Sequence, residues 1–163
     1  RLAAALRAAG GLVAWVQMSI PTKADWPVFL DDMVSPANAE RVVQCLAPGG
    51  EGHALWPEMA VDATHDLFVS KSRFSAFLPG AANLAGTLRE RGIDTVLITG
   101  TLTNVCCESS ARDAVMQDFR VVMVADANAC RTDAQHLATL VTFIESFGDV
   151  RNTEELVEML AAG

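Results

Sequence analysis

The sequence is poor in lysine and cysteine: it has only Lys23 and Lys71 against ten arginines, and only Cys45, Cys106, Cys107 and Cys130. The cysteines do not fall at zinc-site spacings, and the neighbours Cys106 and Cys107 could join only in a strained vicinal disulfide. Neither metal nor disulfides are expected here, and a reducing cytoplasm is the expected compartment. No run approaches the roughly 18 to 20 consecutive apolar residues of a membrane span. The opening residues do not read as a signal peptide. Positive charge is scarce as well. With 12 Lys+Arg against 20 Asp+Glu and a net charge of −8, the composition argues against broad electrostatic binding to nucleic acid or to an anionic membrane.

What remains is 163 residues, 51% hydrophobic and 20% charged, in ordinary globular proportions and with no internal repeat or low-complexity run. A chain of this length buries roughly 70% of its unfolded surface without staples, so a single domain over residues 1–163 is expected. Its start is unusual. Arg1 to Ala9 carry an amphipathic helical pattern with no N-cap Ser, Thr, Asp or Asn, halted by Gly10-Gly11. That reads as the last turns of a helix begun earlier, and the domain is expected to be N-terminally incomplete.

Leu12 to Met18 is an apolar run suited to a strand covered on both faces. From Ile20 to about His65 periodicity is lost among Pro21, Pro27, Pro36, Pro48 and Pro57, which predicts a long functional loop. Alternation follows. Strands are predicted at Asp66–Lys71, Thr95–Gly100 and Arg120–Asp126, with helices at Ala81–Arg91, Asn104–Phe119 and Asp133–Phe147. A short Val150-Arg151 piece precedes a last helix capped by Thr153. Strands separated by helices of this length require right-handed crossovers. The expected fold is therefore α/β, with three α/β/α layers around a parallel, Rossmann-like sheet. In such a sheet ligands bind at the carboxyl ends of the strands.

Two strand exits carry chemistry. Cys106 and Cys107 stand where an apolar strand turns into a helix, a place where free N–H groups and the helix dipole favour a thiolate and an oxyanion. Small buried cysteines doing no chemistry would satisfy the same position. Lys71 ends another apolar strand and could hold a thiolate charged or orient a carbonyl; a snorkelling lysine is the bland alternative.

Taken together, Val69-Ser70-Lys71-Ser72-Arg73-Phe74-Ser75-Ala76-Phe77 and Gly100-Thr101-Leu102-Thr103-Asn104-Val105-Cys106-Cys107-Glu108 resemble the isochorismatase-like cysteine hydrolases. That superfamily includes nicotinamidases, carbamoylsarcosine amidases and ureidoacrylate amidohydrolases. The likeness extends from Leu2 to Leu160, with Leu55-Trp56-Pro57-Glu58-Met59 as a weaker feature. It implies that Cys106, three residues after Thr103, is the nucleophile, that Lys71 assists it, and that Cys107 is packing. It also implies a cis peptide at Thr101-Leu102 that aims the Leu102 and Cys106 N–H groups at an oxyanion. The implied reaction is C–N hydrolysis of a small amide, ureido or carbamoyl compound through a thioester, without a cofactor, in a homo-oligomer. Trp26, Phe29, Trp56, Phe74 and Phe77 are candidate pocket walls, with ordinary packing as the alternative.

The sequence departs from the family in one respect. Relatives carry a third catalytic residue, an aspartate at the end of a first, central strand, and no matching segment exists here. The sheet is thus expected to lack its N-terminal central strand. Asp126 reads as a turn or cap residue, Asp113 and Glu108 as helix-surface or packing acids, and His136 either as a partner in a Cys-His dyad or as a partly exposed helical histidine. Nicotinamidase-type metal ligands are missing, since no histidine precedes His53, although His53 and His65 could reach substrate. Two rival functions are a non-catalytic binding or partner relative that lost the acid, and isochorismatase-type ether hydrolysis, which those relatives perform without the cysteine.

Overall fold

Apolar runs of about five residues separated by amphipathic stretches become parallel strands and crossover helices, and the computed structural model, describing residues 1–163, has five and six of them. In order they are α1 (Leu2–Ala8), β1 (Ala14–Met18), α2 (Pro36–Leu46), β2 (Leu67–Lys71), α3 (Leu84–Glu90), β3 (Thr95–Thr101), α4 (Glu108–Val115), β4 (Arg120–Ala129), α5 (Asp133–Ser146), β5 (Asp149–Arg151) and α6 (Thr153–Ala162). Gly10 ends α1 at a φ of +80°, a conformation open to glycine at no steric cost.

Two local expectations need correction. The segment from Ile20 to His65 is not aperiodic throughout: it holds a 3-10 turn at Lys23–Asp25, a π turn at Val28–Met33 and the whole of α2. Ser35 and Pro36 supply its N-cap position and first turn, while Ala39, Val42, Val43 and Leu46 pack on Ile20 and Leu30. The cap of α6 is Asn152 rather than Thr153. Asn152 Oδ1 accepts from Glu155 N at 2.9 Å and Glu155 Oε2 accepts from Asn152 N at 2.8 Å, closing a capping box.

All ladders are parallel, and strand β4 defines the layers. Val121 and Met123 lie in one core cluster with Leu84, Ala85 and Leu88 of α3, Ala111 and Ala114 of α4, and Leu140 and Phe143 of α5. Val124 points the other way by strand alternation, toward the side where α6 packs on β4 and α1 on α6. The sheet itself is in two pieces. Strands β1 and β2 form one, β3, β4 and β5 the other, and no ladder joins β1 to β3. Both pieces pack on the same core, through Ala14 and Val69 from the first and Val96 and Ile98 from the second. One edge of β1 and one of β3 therefore have no strand paired to them.

Candidate active site

Strand β3 leaves the sheet through an irregularity. Ile98 pairs with Met123 but Gly100 with Asn128, so β4 contributes extra residues, and Asn128 Nδ2 bridges the gap by donating to Ile98 O and Val124 O at 2.8 Å each. Gly100 sits at a φ of +120°, where a side chain would be strained. The next peptide, Thr101-Leu102, is cis. A π-type turn, Thr103–Cys107, then leads into α4, with Val105 N and Cys107 N donating to Leu102 O at 3.1 and 3.2 Å.

The two cysteines of this turn differ. Cys106 is half-buried. Cys107 is 5% exposed, and burial, reinforced by the nearby Cys106, pushes its thiol up to about 12. It is therefore protonated at neutral pH and serves as packing.

Lys71, at the carboxyl end of β2, is 5% exposed. Its Nζ donates to Arg73 O at 2.9 Å and to Cys106 Sγ at 3.5 Å, and touches Met18 Sδ at 3.3 Å. No carboxylate of the chain pairs with it, whereas Lys23 pairs with Glu40 and the ion-paired arginines with Asp or Glu. A buried ammonium without an acid is costly unless an anion reaches it. The group placed to do so is the Cys106 sulfur. The residues after Lys71 are tied across to α4 by Ala76 N, which donates to Ser110 Oγ at 3.0 Å.

The other predicted residues divide. Trp26, Phe29 and Phe74 form one aromatic cluster, with centroids 4.5 to 5.4 Å apart, and the Arg73 guanidinium lies 4.9 Å over Trp26. Because Arg73 also gives its carbonyl to Lys71, this cluster adjoins the Cys106 and Lys71 pair. Phe77 does not belong with them: it is 3% exposed, in the core, edge-on to Phe119. Trp56 is exposed on the long connection.

The acids are used elsewhere. Asp126 Oδ1 accepts from Thr153 N and Oγ1 at the start of α6, the capping role expected of it. Glu108 pairs with Arg112, and Asp113 bonds to neither Lys71 nor Cys106. His136 forms no dyad with Cys106; its Nδ1 lies 2.9 Å from Thr103 Oγ1. His53 is pinned to the strand ends, with Nε2 2.7 Å from Ser19 Oγ, and His65 pairs with Asp62 at the surface. The Thr103–His136 and Ser19–His53 pairs were not predicted. Their only sequence signal is a hydroxyl residue at a strand exit and a histidine far along the chain.

A profile of the Isochorismatase domain matches residues 1–155. The chain belongs to the isochorismatase family. Among curated relatives of this isochorismatase-family chain, a ureidoacrylate amidohydrolase of Variovorax paradoxus is 33% identical over 171 residues, covering 99% of this chain and 67% of that protein. An isochorismatase family protein of Bacillus subtilis is 36% identical over 120 residues, covering 70% of this chain and 62% of that one. The matched part thus spans about two thirds or less of these relatives. Among solved structures, a cysteine hydrolase from Pseudomonas syringae pv. phaseolicola superposes with a TM-score of 0.85 at 27% identity, covering 99% of this chain and 77% of that one.

Proposed function

We propose that the protein is a cysteine-dependent hydrolase that cleaves a C–N bond in a small amide, ureido or carbamoyl compound. One observation carries the reading: the ammonium of buried Lys71, without an acid partner, lies 3.5 Å from Cys106 Sγ at the head of a helix-forming turn. The Cys106 thiolate attacks the carbonyl carbon, and the electron pair moves to the carbonyl oxygen. The Leu102 and Cys106 N–H groups stabilise that oxyanion, and Lys71 supports the charge. Collapse breaks the C–N bond, expels the amine, which takes its proton from solvent, and gives a thioester. Water then adds to the thioester carbonyl and the C–S bond breaks, releasing the acyl group as its acid and returning the Cys106 thiolate. The relatives support the bond type, being named for ureidoacrylate and, at 31% identity in Pseudomonas putida, for maleamate.

The acid that protonates the leaving amine is not among the residues around Cys106. The same lack of an acid favours one rival, a non-catalytic relative that binds an amide without cleaving it. A panel of small amides, ureides and carbamoyl compounds separates the two. Hydrolysis of a panel member, reduced at least about 10³-fold in Cys106→Ala with unchanged thermal stability, is the expected result. Equal turnover by wild type and Cys106→Ala would overturn the cysteine mechanism. Binding without any turnover would leave the rival.

A further inference from the structure

The Thr103–Cys107 turn and the first residue of α4 are held from one side by α5 and the loop before it, through three side-chain contacts. Cys130 Sγ donates to Asn104 Oδ1 at 2.9 Å, Thr103 Oγ1 and His136 Nδ1 share a hydrogen bond of 2.9 Å, and Thr139 Oγ1 donates to Glu108 Oε2 at 3.3 Å. They are not equivalent. The Cys130 thiol has a second acceptor in Gln135, and Glu108 keeps Arg112 whether or not Thr139 is present. Thr103 is fully buried, at 0% exposure, and His136 is the sole side-chain partner of its hydroxyl. Without His136 that hydroxyl is a buried polar group with no side-chain partner, and the turn gains by shifting to satisfy it.

His136 itself is fixed from behind. Its backbone N–H donates to Thr132 O at 3.1 Å, and Thr132 Oγ1 caps the helix by accepting from Gln135 N at 3.3 Å. The imidazole therefore stands on a capped first turn, half-buried, with its Nδ1 against the residue three positions before Cys106.

We infer that His136 is a positioning residue for the nucleophile: through Thr103 it sets the turn so that Cys106 Sγ stays against Lys71 Nζ. This rests on reading Cys106 as the nucleophile, and it assigns His136 a role that the reaction itself does not require it to touch. A displacement of the sulfur on the order of 1 Å is enough to cost an activated group about ten- to a hundredfold in rate.

The test uses iodoacetamide at neutral pH as the probe, with mass analysis of the labelled cysteine peptides, so that no substrate is needed. His136→Ala is expected to slow labelling of Cys106 about tenfold while exposed Cys45 is labelled at the wild-type rate. His136→Asn, whose amide can occupy the place of Nδ1, is expected to restore most of the rate, which general loosening of α5 would not allow. Thr103→Val should reproduce His136→Ala, and the double variant should be no slower than either single one. Thr103→Val also serves as the decisive variant if His136→Ala fails to fold. Wild-type labelling of Cys106 in His136→Ala or Thr103→Val, or an Asn variant as slow as Ala, overturns the inference and leaves the nucleophile reading intact. If wild-type Cys106 reacts no faster than Cys45, the nucleophile reading fails and the inference falls with it.

Discussion

Strands β1 and β4 are both apolar and parallel, yet β4 buries Val121, Met123, Val124 and Asn128 whereas no residue of β1 is fully buried. Strand β4 has a ladder on each side and helices on both faces; β1 pairs with β2 alone. The β1–β2 piece is held instead by polar ties. Buried Asp66 takes hydrogen bonds from Arg7 Nε and Nη2, from Trp15 Nε1 and from Asp62 N, which fastens α1 and the long connection to the foot of β2. Lys71 stands at the carboxyl end of this weaker piece, and Cys106 on the turn leaving the stronger one. The 3.5 Å between them is thus a contact across the break in the sheet. Whatever holds the two pieces in register also holds the candidate site together.

The contrast can be broken at its centre by Lys71→Met. Removal of a buried ammonium that no carboxylate pairs should leave thermal stability unchanged or raise it, since the cost of burying the charge goes with it and the neighbouring Cys106 can stay a neutral thiol. The labelling rate of Cys106 and any turnover should fall by about tenfold or more. A loss of stability with unchanged labelling would show that Lys71 is a structural residue.

A smaller effect comes from the other end of β2. Arg7→Ala removes the main partner of Asp66 and should lower Tm by several degrees, with amide protection lost first in β1 and β2 and retained in β4. Acid should act on the same point. The Arg7 guanidinium holds the Asp66 carboxyl well below the usual carboxylate range, helped by the Asp62 and Trp15 N–H groups against the cost of burial. A depressed folded value means that this stability is fully present above the unfolded carboxylate range, about 4, and is lost as pH falls below it. Acid unfolding monitored by hydrogen exchange should therefore open β1 and β2 before β4 in the wild type, and Arg7→Ala should lose that pH dependence. Uniform loss of protection across both pieces would remove the distinction.

The smallest effect is expected at Cys107. Cys107→Val substitutes one small buried apolar side chain for another and should change stability by less than about 1.5 kcal/mol, with Cys106 labelling unaltered. A large drop in labelling would give Cys107 a part in the chemistry.

Much of this was legible in the sequence, and the illegible parts share a cause. The strands stood out because apolar runs such as Val96-Leu97-Ile98 are bounded by turn residues, and the helices because Leu137, Leu140, Val141 and Ile144 recur at helical spacing. Cys106 and Lys71 could be picked out because the strand exits of a parallel sheet converge. The helix α2 was masked by the prolines around it, although Pro36 begins the helix rather than breaking it. The choice of Asn152 over Thr153 as a cap turned on a one-residue boundary. The pairing of Thr103 with His136, 33 residues apart, depends on how α5 is rotated over the turn, which periodicity does not specify. Phe77 is a candidate pocket wall by sequence, with packing as the alternative, and the structure decides for packing, since Ser75, Ala76 and Phe77 are all buried.

The most direct test of the account is the relative rate at which iodoacetamide labels the four cysteines of the folded wild-type protein at neutral pH. Cys106, half-buried against Lys71, should react faster than exposed Cys45, and Cys107 should stay unlabelled. Faster labelling of Cys45 than of Cys106 would contradict it.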